Sequence, residues 1–330
     1  MIKKTLKFGL AGALSSVAAV FCLQIALAQK TDSQSPPAYA FPKTIKLGLK
    51  GKTGDKYKYL SSEKSSTKMM VEGESGGFSS NDDTDKTYTY QVLGVEPDGN
   101  VNLEVKLLQG IEKNTADDGI RRKSITPGTM IALLKPTLEQ LKASFPPSAP
   151  LAEITPGKAP LPSAVELDNE QKSKLTALIS SVPYPSKSLS VGDVWKFHTL
   201  ESKFGSGTML KELEWSGKLA EFVMLGKIPC AKLEISVEFK GKVGDVEKNL
   251  KQSLPDNAEL KGETTIKSKA TYLISLDRNF KLEVQAKTAV TIDYSATANG
   301  KKIKIGGEIL IENHDKATEF PEFDSKFVRE

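Results

Sequence analysis

Two histidines, His198 and His314, are the imidazoles on which a serine or cysteine nucleophile would have to rely. Alternation across Val194–Leu200 puts His198 on the face of Lys196, opposite Trp195 and Phe197. That parity predicts solvent rather than a buried base. His314 falls in Glu312-Asn313-His314-Asp315, read as a polar exit loop after the last strand. No Gly-x-Ser-x-Gly elbow is present. Ser65-Ser66-Thr67-Lys68 and Lys52-Thr53-Gly54 match the short Ser-x-x-Lys and Lys-Thr-Gly elements of penicillin-interacting enzymes. Their order is inverted, and the serine does not open a helix. Gly48-x-x-Gly51-Lys52-Thr53 is too short for a phosphate loop. Zinc lacks enough Cys and His ligands. Asn81, Asp82, Asp83 and Asp85 read as an acidic loop without the glycine and glutamate of a calcium loop. Paired carboxylates cannot be singled out among 41 acids, and Trp195 and Trp215 fall at core positions of the alternation. The expectation is no catalytic residue, no metal and no cofactor.

The elements that would position any site are mostly strands. From Ala231 to Phe239 every odd residue is apolar and every even one polar. A strand with that rhythm has one dry face and one wet face. Phe280, Leu282, Val284, Ala286, Val290, Ile292 and Tyr294 repeat it. So do Val101–Leu107, Tyr88–Val92 and Ile303–Ile311. Half-wet sheets of this kind are antiparallel. Turns are expected at Glu96–Asn100, Gly226–Pro229, Asp277-Arg278-Asn279 and Asn299-Gly300. One helix is signalled by Asp168 as cap and Gln171 as its capping-box partner. Leu175, Leu178, Ile179 and Val182 give it an apolar stripe, and Pro183 and Pro185 end it. A second helix is expected over Lys135–Ser144, with Pro136 in its first turn and Leu138, Leu141 and Phe145 inward.

Lys3, Lys4 and Lys7 precede 21 uncharged residues, Phe8 to Ala28, ending in Ala26-Leu27-Ala28. This reads as a cleaved export signal over residues 1–28. A retained anchor and lipidation at Cys22 are the competing readings. Removal leaves 302 residues and lowers the formal charge from +5 to about +2. Lysines then alternate with acids, which argues against a nucleic-acid partner. Cys230 is left as the remaining cysteine, read as a packed small apolar residue, so the fold rests on its core rather than on an internal disulfide. The chain divides into a leader (29–43), an N-terminal β lobe (44–145), a Pro-rich linker plus helix (146–183) and a C-terminal β lobe (184–330).

Gly54-Asp55-Lys56-Tyr57-Lys58-Tyr59 parallels Gly192-Asp193-Val194-Trp195-Lys196-Phe197. Leu93-Gly94 parallels Leu225-Gly226, and Leu103-Glu104-Val105 parallels Leu233-Glu234-Ile235. The order suits a duplicated β unit, with chance matching of β patterns as the rival. Gly192-Asp193-x-Trp195 followed by Gly226 and Cys230-Ala231-Lys232 resembles an uncharacterised group of exported bacterial β-rich proteins, over about residues 45–312. No activity comes with that likeness. At the level of architecture the chain also resembles periplasmic lipoprotein carriers, which implies a curved antiparallel sheet with a hollow that holds acyl chains.

The expected fold is mainly β: two related antiparallel, curved sheets with one or two short helices. The expected function is an exported, non-catalytic protein that binds a partner or an apolar ligand through a curved sheet, a lipid or another envelope protein being the candidate partners. Leu233, Ile235, Val237, Leu282, Val284, Leu175, Leu178 and Ile179 are the expected lining. A filled core is the alternative for each of them. A cell-envelope hydrolase and an envelope scaffold are the alternative functions.

Overall fold

Alternation becomes strand almost everywhere it occurs. The computed structural model describes residues 39–72, 77–116, 119–146, 167–179, 182–198, 213–242, 258–298 and 301–325, with 247, 250, 251, 254 and 255. The export segment with Cys22, most of the leader, residues 147–166 of the Pro-rich stretch and the Asn299-Gly300 turn lie outside the described residues. The strands are β1 (Thr44–Ile45), β2 (Lys56–Val71), β3 (Phe78–Val95), β4 (Val101–Ala116), β5 (Gly119–Ser124), β6 (Gly128–Leu134) and β7 (Gln140–Ser144). After helix α1 (Asn169–Ile179) come β8 (Leu189–Ser190), β9 (Val194–His198), β10 (Glu214–Leu225), β11 (Ile228–Gly241), β12 (Glu259–Ser275), β13 (Lys281–Ala298) and β14 (Lys301–Glu319).

All pairings are antiparallel. The main sheet runs β7-β6-β4-β3-β2-β14-β13-β12-β11-β10-β9, with β5 beside β4, while β1 and β8 form a two-stranded clip. The strands before α1 and those after β8 are joined along β2 and β14, from Lys58 opposite Glu319 to Val71 opposite Ile305. The outermost strands, β7 and β9, do not pair with each other, so the sheet is not a closed barrel.

The sheet is nevertheless strongly curled. Six strand spacings separate β4 from β11, which in a flat sheet is about 29 Å at ~4.8 Å each. Yet Leu103 of β4 and Leu233 of β11 line one cavity. The dry face is therefore the concave one. It carries Tyr57, Tyr59, Tyr88, Tyr90, Val105, Leu233, Ile235, Val290, Ile292, Ile309 and Ile311, all buried.

Two Gly-Asp turns feed β2 and β9 with the same hydrogen bonds. Gly54 and Gly192 have φ of +93° and +94°, a region that suits glycine. Asp55 Oδ2 accepts from Lys52 N at 2.9 Å, and Asp193 Oδ2 accepts from Ser190 N at 2.8 Å. Each turn then exchanges backbone bonds with a neighbouring strand, Gly54 N to Val92 O (2.9 Å) and Gly192 N to Leu219 O (2.7 Å).

The capping box forms as read: Gln171 N donates to Asp168 Oδ1 at 2.8 Å, and Asp168 N to Gln171 Oε1 at 3.0 Å. The helix expected over Lys135–Ser144 does not form. Leu138 takes φ +72°, a left-handed conformation that breaks a helix. Lys135 N instead bonds Glu139 O (2.8 Å), closing a turn, and Gln140–Ser144 adds to β6 as β7. Asn81–Asp85 is likewise strand rather than loop, and Asn313-His314-Asp315 belongs to β14 rather than to an exit loop.

Candidate functional site

Five of the cavity's walls come from strands at opposite ends of the curl: Leu103 and Leu134 from one end, Leu233, Tyr272 and Ile274 from the other. The roof is not sheet at all. Ile179 at the end of α1, Val182 and Tyr184 after it, and Leu138 of the β6–β7 turn close the space. Its volume is about 40 Å³, room for about three water molecules. Leu49, Tyr90 and Phe280 complete an apolar lining broken by two polar side chains, Asn279 and Lys281.

Lys281 sits among tyrosine rings. Its Nζ lies 5.8, 6.0 and 5.8 Å from the ring centres of Tyr59, Tyr88 and Tyr90, a cation–π arrangement. It donates to Asp315 and to Leu178 O, each at 3.3 Å. Tyr88 OH donates to Asp315 at 3.1 Å, Tyr90 OH to Leu178 O and Tyr59 OH to Lys281 O. A cation at the carbonyl end of α1 also suits the helix dipole. Burial pulls the Lys281 ammonium down, but Tyr90 and Asp315 outweigh it and hold its pKa above the ordinary lysine value. Burial likewise pushes the Asp315 carboxyl up, but Lys281 and the hydroxyls of Ser61 and Tyr88 bring it below the ordinary aspartate value. The pair is therefore ionised, and it fastens α1 to the sheet.

Beyond this pair the concave face of β2, β3, β4 and β14 turns polar. Glu63 is opposite Asn313 on one side and Thr84 on the other. Lys86 is 3.8 Å away, too far for a strong bond. Burial raises the Glu63 pKa, with Lys86 opposing. Asp82 accepts from Asn114 at 2.5 Å, and Glu112 pairs with Lys174 of α1 at 2.5 Å.

The sequence-derived lining is distributed as follows. Leu233, Ile235, Val237 and Val284 belong to one buried cluster. Leu175, Leu178 and Leu282 belong to another, with Ile179 packed against it. Of the eight, Leu233 and Ile179 reach the cavity. The expected lining left out Tyr90, although the Tyr88–Val92 alternation had turned it inward, and it left out Asn279, Lys281 and Asp315. A parity signal existed for Asp315, which continues the inward row Ile309, Ile311, Asn313. None existed for Lys281, which a register shift opposite Leu273/Ile274 turns inward.

The other chemical candidates do not converge. His198 is exposed in β9. His314 Nε2 lies 2.9 Å from Glu283 on the outer face. Ser65 and Lys68 are three apart in one strand and so point to opposite faces. No group of metal-ligating side chains occurs among the described residues. Cys230 is buried, and burial pushes its thiol up to about 12. Among the described residues no helix is long and apolar enough to cross a membrane.

No family model and no curated protein matches the chain. Among solved structures it is similar to lipovitellin, from a study of lipid–protein interactions, at 8% identity and a TM-score of 0.40 over 83% of this chain and 26% of that one. It thus spans about a quarter of the lipovitellin chain. It is also similar to OccK7 (OpdD) of Pseudomonas aeruginosa, at 6% identity and a TM-score of 0.24 over 81% of this chain and 100% of that one. A DUF1329 family protein from Desulfovibrio piger gives 8% identity and a TM-score of 0.13, over 82% and 89% of the two chains. At these scores the likenesses carry no argument about function.

Proposed function

We propose that the chain is an exported, non-catalytic protein that holds an apolar ligand between its curled sheet and the cover made by α1 and residues 182–184. The observation that carries this reading is the convergence of Leu103 and Leu134 with Leu233, Tyr272 and Ile274 around a shared cavity. The uncharged run ending in Ala26-Leu27-Ala28 supports export. In this form the space accepts a group of a few heavy atoms. Toluene, with its seven heavy atoms, and a lipid-sized ligand, which needs a pocket of roughly 300–1,000 Å³, both require the cover to move outward.

Native mass spectrometry of the full chain, purified from the cells that make it, tests the reading together with toluene titration. A retained apolar adduct, or a rise in melting temperature that saturates with toluene, supports it. Filling the space with Ile179→Phe should abolish that rise while leaving the fold intact. An adduct-free mass combined with no response to toluene overturns it.

A further inference from the structure

One end of the curl is closed by a strap. The turns β3–β4, β6–β7, β10–β11 and β12–β13 all lie at this end, because neighbouring strands are antiparallel. Residues 39–55 run across them before β2 begins. Thr44 pairs with Ser190. Leu49 N donates to Pro136 O at 2.7 Å, Lys50 N to Arg278 O at 2.8 Å, and Gly54 N to Val92 O at 2.9 Å. Ile45, Leu47 and Leu49 are buried and stopper the end, Leu49 as part of the cavity wall. The lysines do the opposite: Lys43, Lys46 and Lys52, with Lys56 at the start of β2, are exposed. From Tyr39 to Gly54 the strap holds no acid, and Asp55, which follows, is buried against Arg278 at 2.7 Å. Outside ion pairs, the exposed acids at this end are Glu96, Asp98 and Glu322, against those four lysines and Lys227.

Apolar side chains flank these lysines. Phe41 is 37% exposed and stacks on Phe222 with ring centres 5.8 Å apart. Tyr39 meets Phe41 edge-on at 5.2 Å and Phe323 at 5.8 Å. Phe320 after β14, Met224 beside the β10–β11 turn and Val95 beside the β3–β4 turn are exposed as well. A protein interface gathers its apolar groups at the centre and its charges at the rim. Here the charges run along the strap and the apolar groups stand singly around it. We propose that this end of the molecule docks on the surface of an anionic lipid bilayer. Lysines then meet lipid phosphates, and the phenylalanines and Met224 enter the boundary between headgroups and acyl chains. The proposal goes beyond the apolar-ligand reading and needs no occupant in the cavity.

The test is flotation with lipid vesicles of the chain purified from the cells that make it. Vesicles of phosphatidylcholine alone are compared with vesicles that contain about one-third phosphatidylglycerol. A retained apolar N-terminal segment inserts into both alike, so the difference between them reads the strap. The anionic vesicles should bind about tenfold more tightly or better, and less so as salt is raised, since each lysine near such a surface is worth about fivefold. Lys43→Glu/Lys46→Glu/Lys52→Glu should erase the preference at an unchanged melting temperature, and Phe41→Ser should weaken binding to the anionic vesicles severalfold. Lys302→Glu/Lys304→Glu, exposed at the opposite end of the sheet, should leave the preference in place. Equal binding of the wild type to the two vesicles, a result that depends on no substitution, overturns the proposal. So does a preference that survives the triple variant. Binding to neither vesicle also overturns it and leaves the strap to an acidic protein.

Discussion

Consider removing the charge on Lys281 with Lys281→Met. The side chains of Lys281 and Asp315 are 12% and 15% exposed, so the pair is nearly but not wholly out of water. After the substitution Asp315 keeps the Tyr88 hydroxyl at 3.1 Å, and Leu178 O keeps the Tyr90 hydroxyl, but the carboxylate has lost its cation. Breaking a buried pair on one side costs about 3–5 kcal/mol. The residual exposure puts this case at about 3 kcal/mol. Asp315→Leu strands the lysine instead and should cost a similar amount. The double variant Lys281→Met/Asp315→Leu leaves no unpaired charge and should lie within about 1 kcal/mol of wild type, because apolar replacement of a buried pair is often neutral. Urea unfolding at pH 7 closes the cycle. The sign with pH follows from the two shifts. The depressed Asp315 value gives stability present above its unfolded pKa of about 3.9 and lost as pH falls through the folded value. The raised Lys281 value gives stability present below about 10.4 and lost as pH rises through the folded value. The gap between wild type and Asp315→Leu should therefore be flat from about pH 4 up to the pH at which the stranded lysine, its pKa pulled down by burial, gives up its proton, and should shrink on either side. Single-variant costs that simply add in the double variant would refute the argument and make the pair a screened surface contact.

Three further outcomes are expected. Glu63, whose pKa is raised chiefly by burial, costs stability when ionised, so Glu63→Gln should stabilise by about 1 kcal/mol at pH 7.5 and not at pH 4; equal melting-temperature changes at both values would contradict this. Gly217 lies opposite Trp195 in the β9–β10 ladder, and a Cβ there would stand 2.4 Å from the ring. Gly217→Ala should thus cost about 1–3 kcal/mol and shift tryptophan emission, with Trp195→Leu relieving the clash; an unchanged urea midpoint counts against it. The Cys230 thiol, buried and pushed up to about 12, should stay unreactive toward a disulfide reagent at pH 8 in the folded chain and react promptly in urea; rapid labelling without denaturant would show an open path to it.

Much of the fold was legible because parity is local. Ala231 to Phe239 alternates in the sequence and buries its odd residues down to Val237, and Asp168 with Gln171 needs nothing beyond its own turn. Lys135–Ser144 misled because Leu138, Leu141 and Phe145 suit a helical stripe, whereas the turn there is set from afar: Pro136 O accepts from Leu49 N at 2.7 Å, and Thr137 O from Tyr184 N at 3.3 Å. The site was legible only in its apolar part. Leu233 faces inward by parity, but nothing in the chain says that Leu103 lies across from it, because that contact depends on the summed curl of the strands between. Lys281 was hidden by a bulge. Asn279 was hidden by its own signal, since Asp277-Arg278-Asn279 reads as a polar hairpin turn and such turns normally sit in water.

That buried turn explains why the curl is held at one radius. Arg278 donates through Nε to Asp55 at 2.7 Å, pairs with Asp277, and reaches Glu322 O at 3.3 Å. Its backbone O accepts from Lys50 N at 2.8 Å. Asp277 also accepts from Asp324 N at 3.1 Å. The tip of the β12–β13 hairpin is thus tied to the segment entering β2 and to the segment leaving β14, the two strands whose pairing joins the early half of the sheet to the late half. A flatter sheet would pull residues 48–55 away from the tip and leave Arg278 and Asp277 buried without partners, which is far costlier than a lost surface ion pair. The same tip presents Asn279 to the cavity. The contacts that tie down the tip therefore also hold part of the cavity wall, so loosening the tip should cost ligand binding as well as stability.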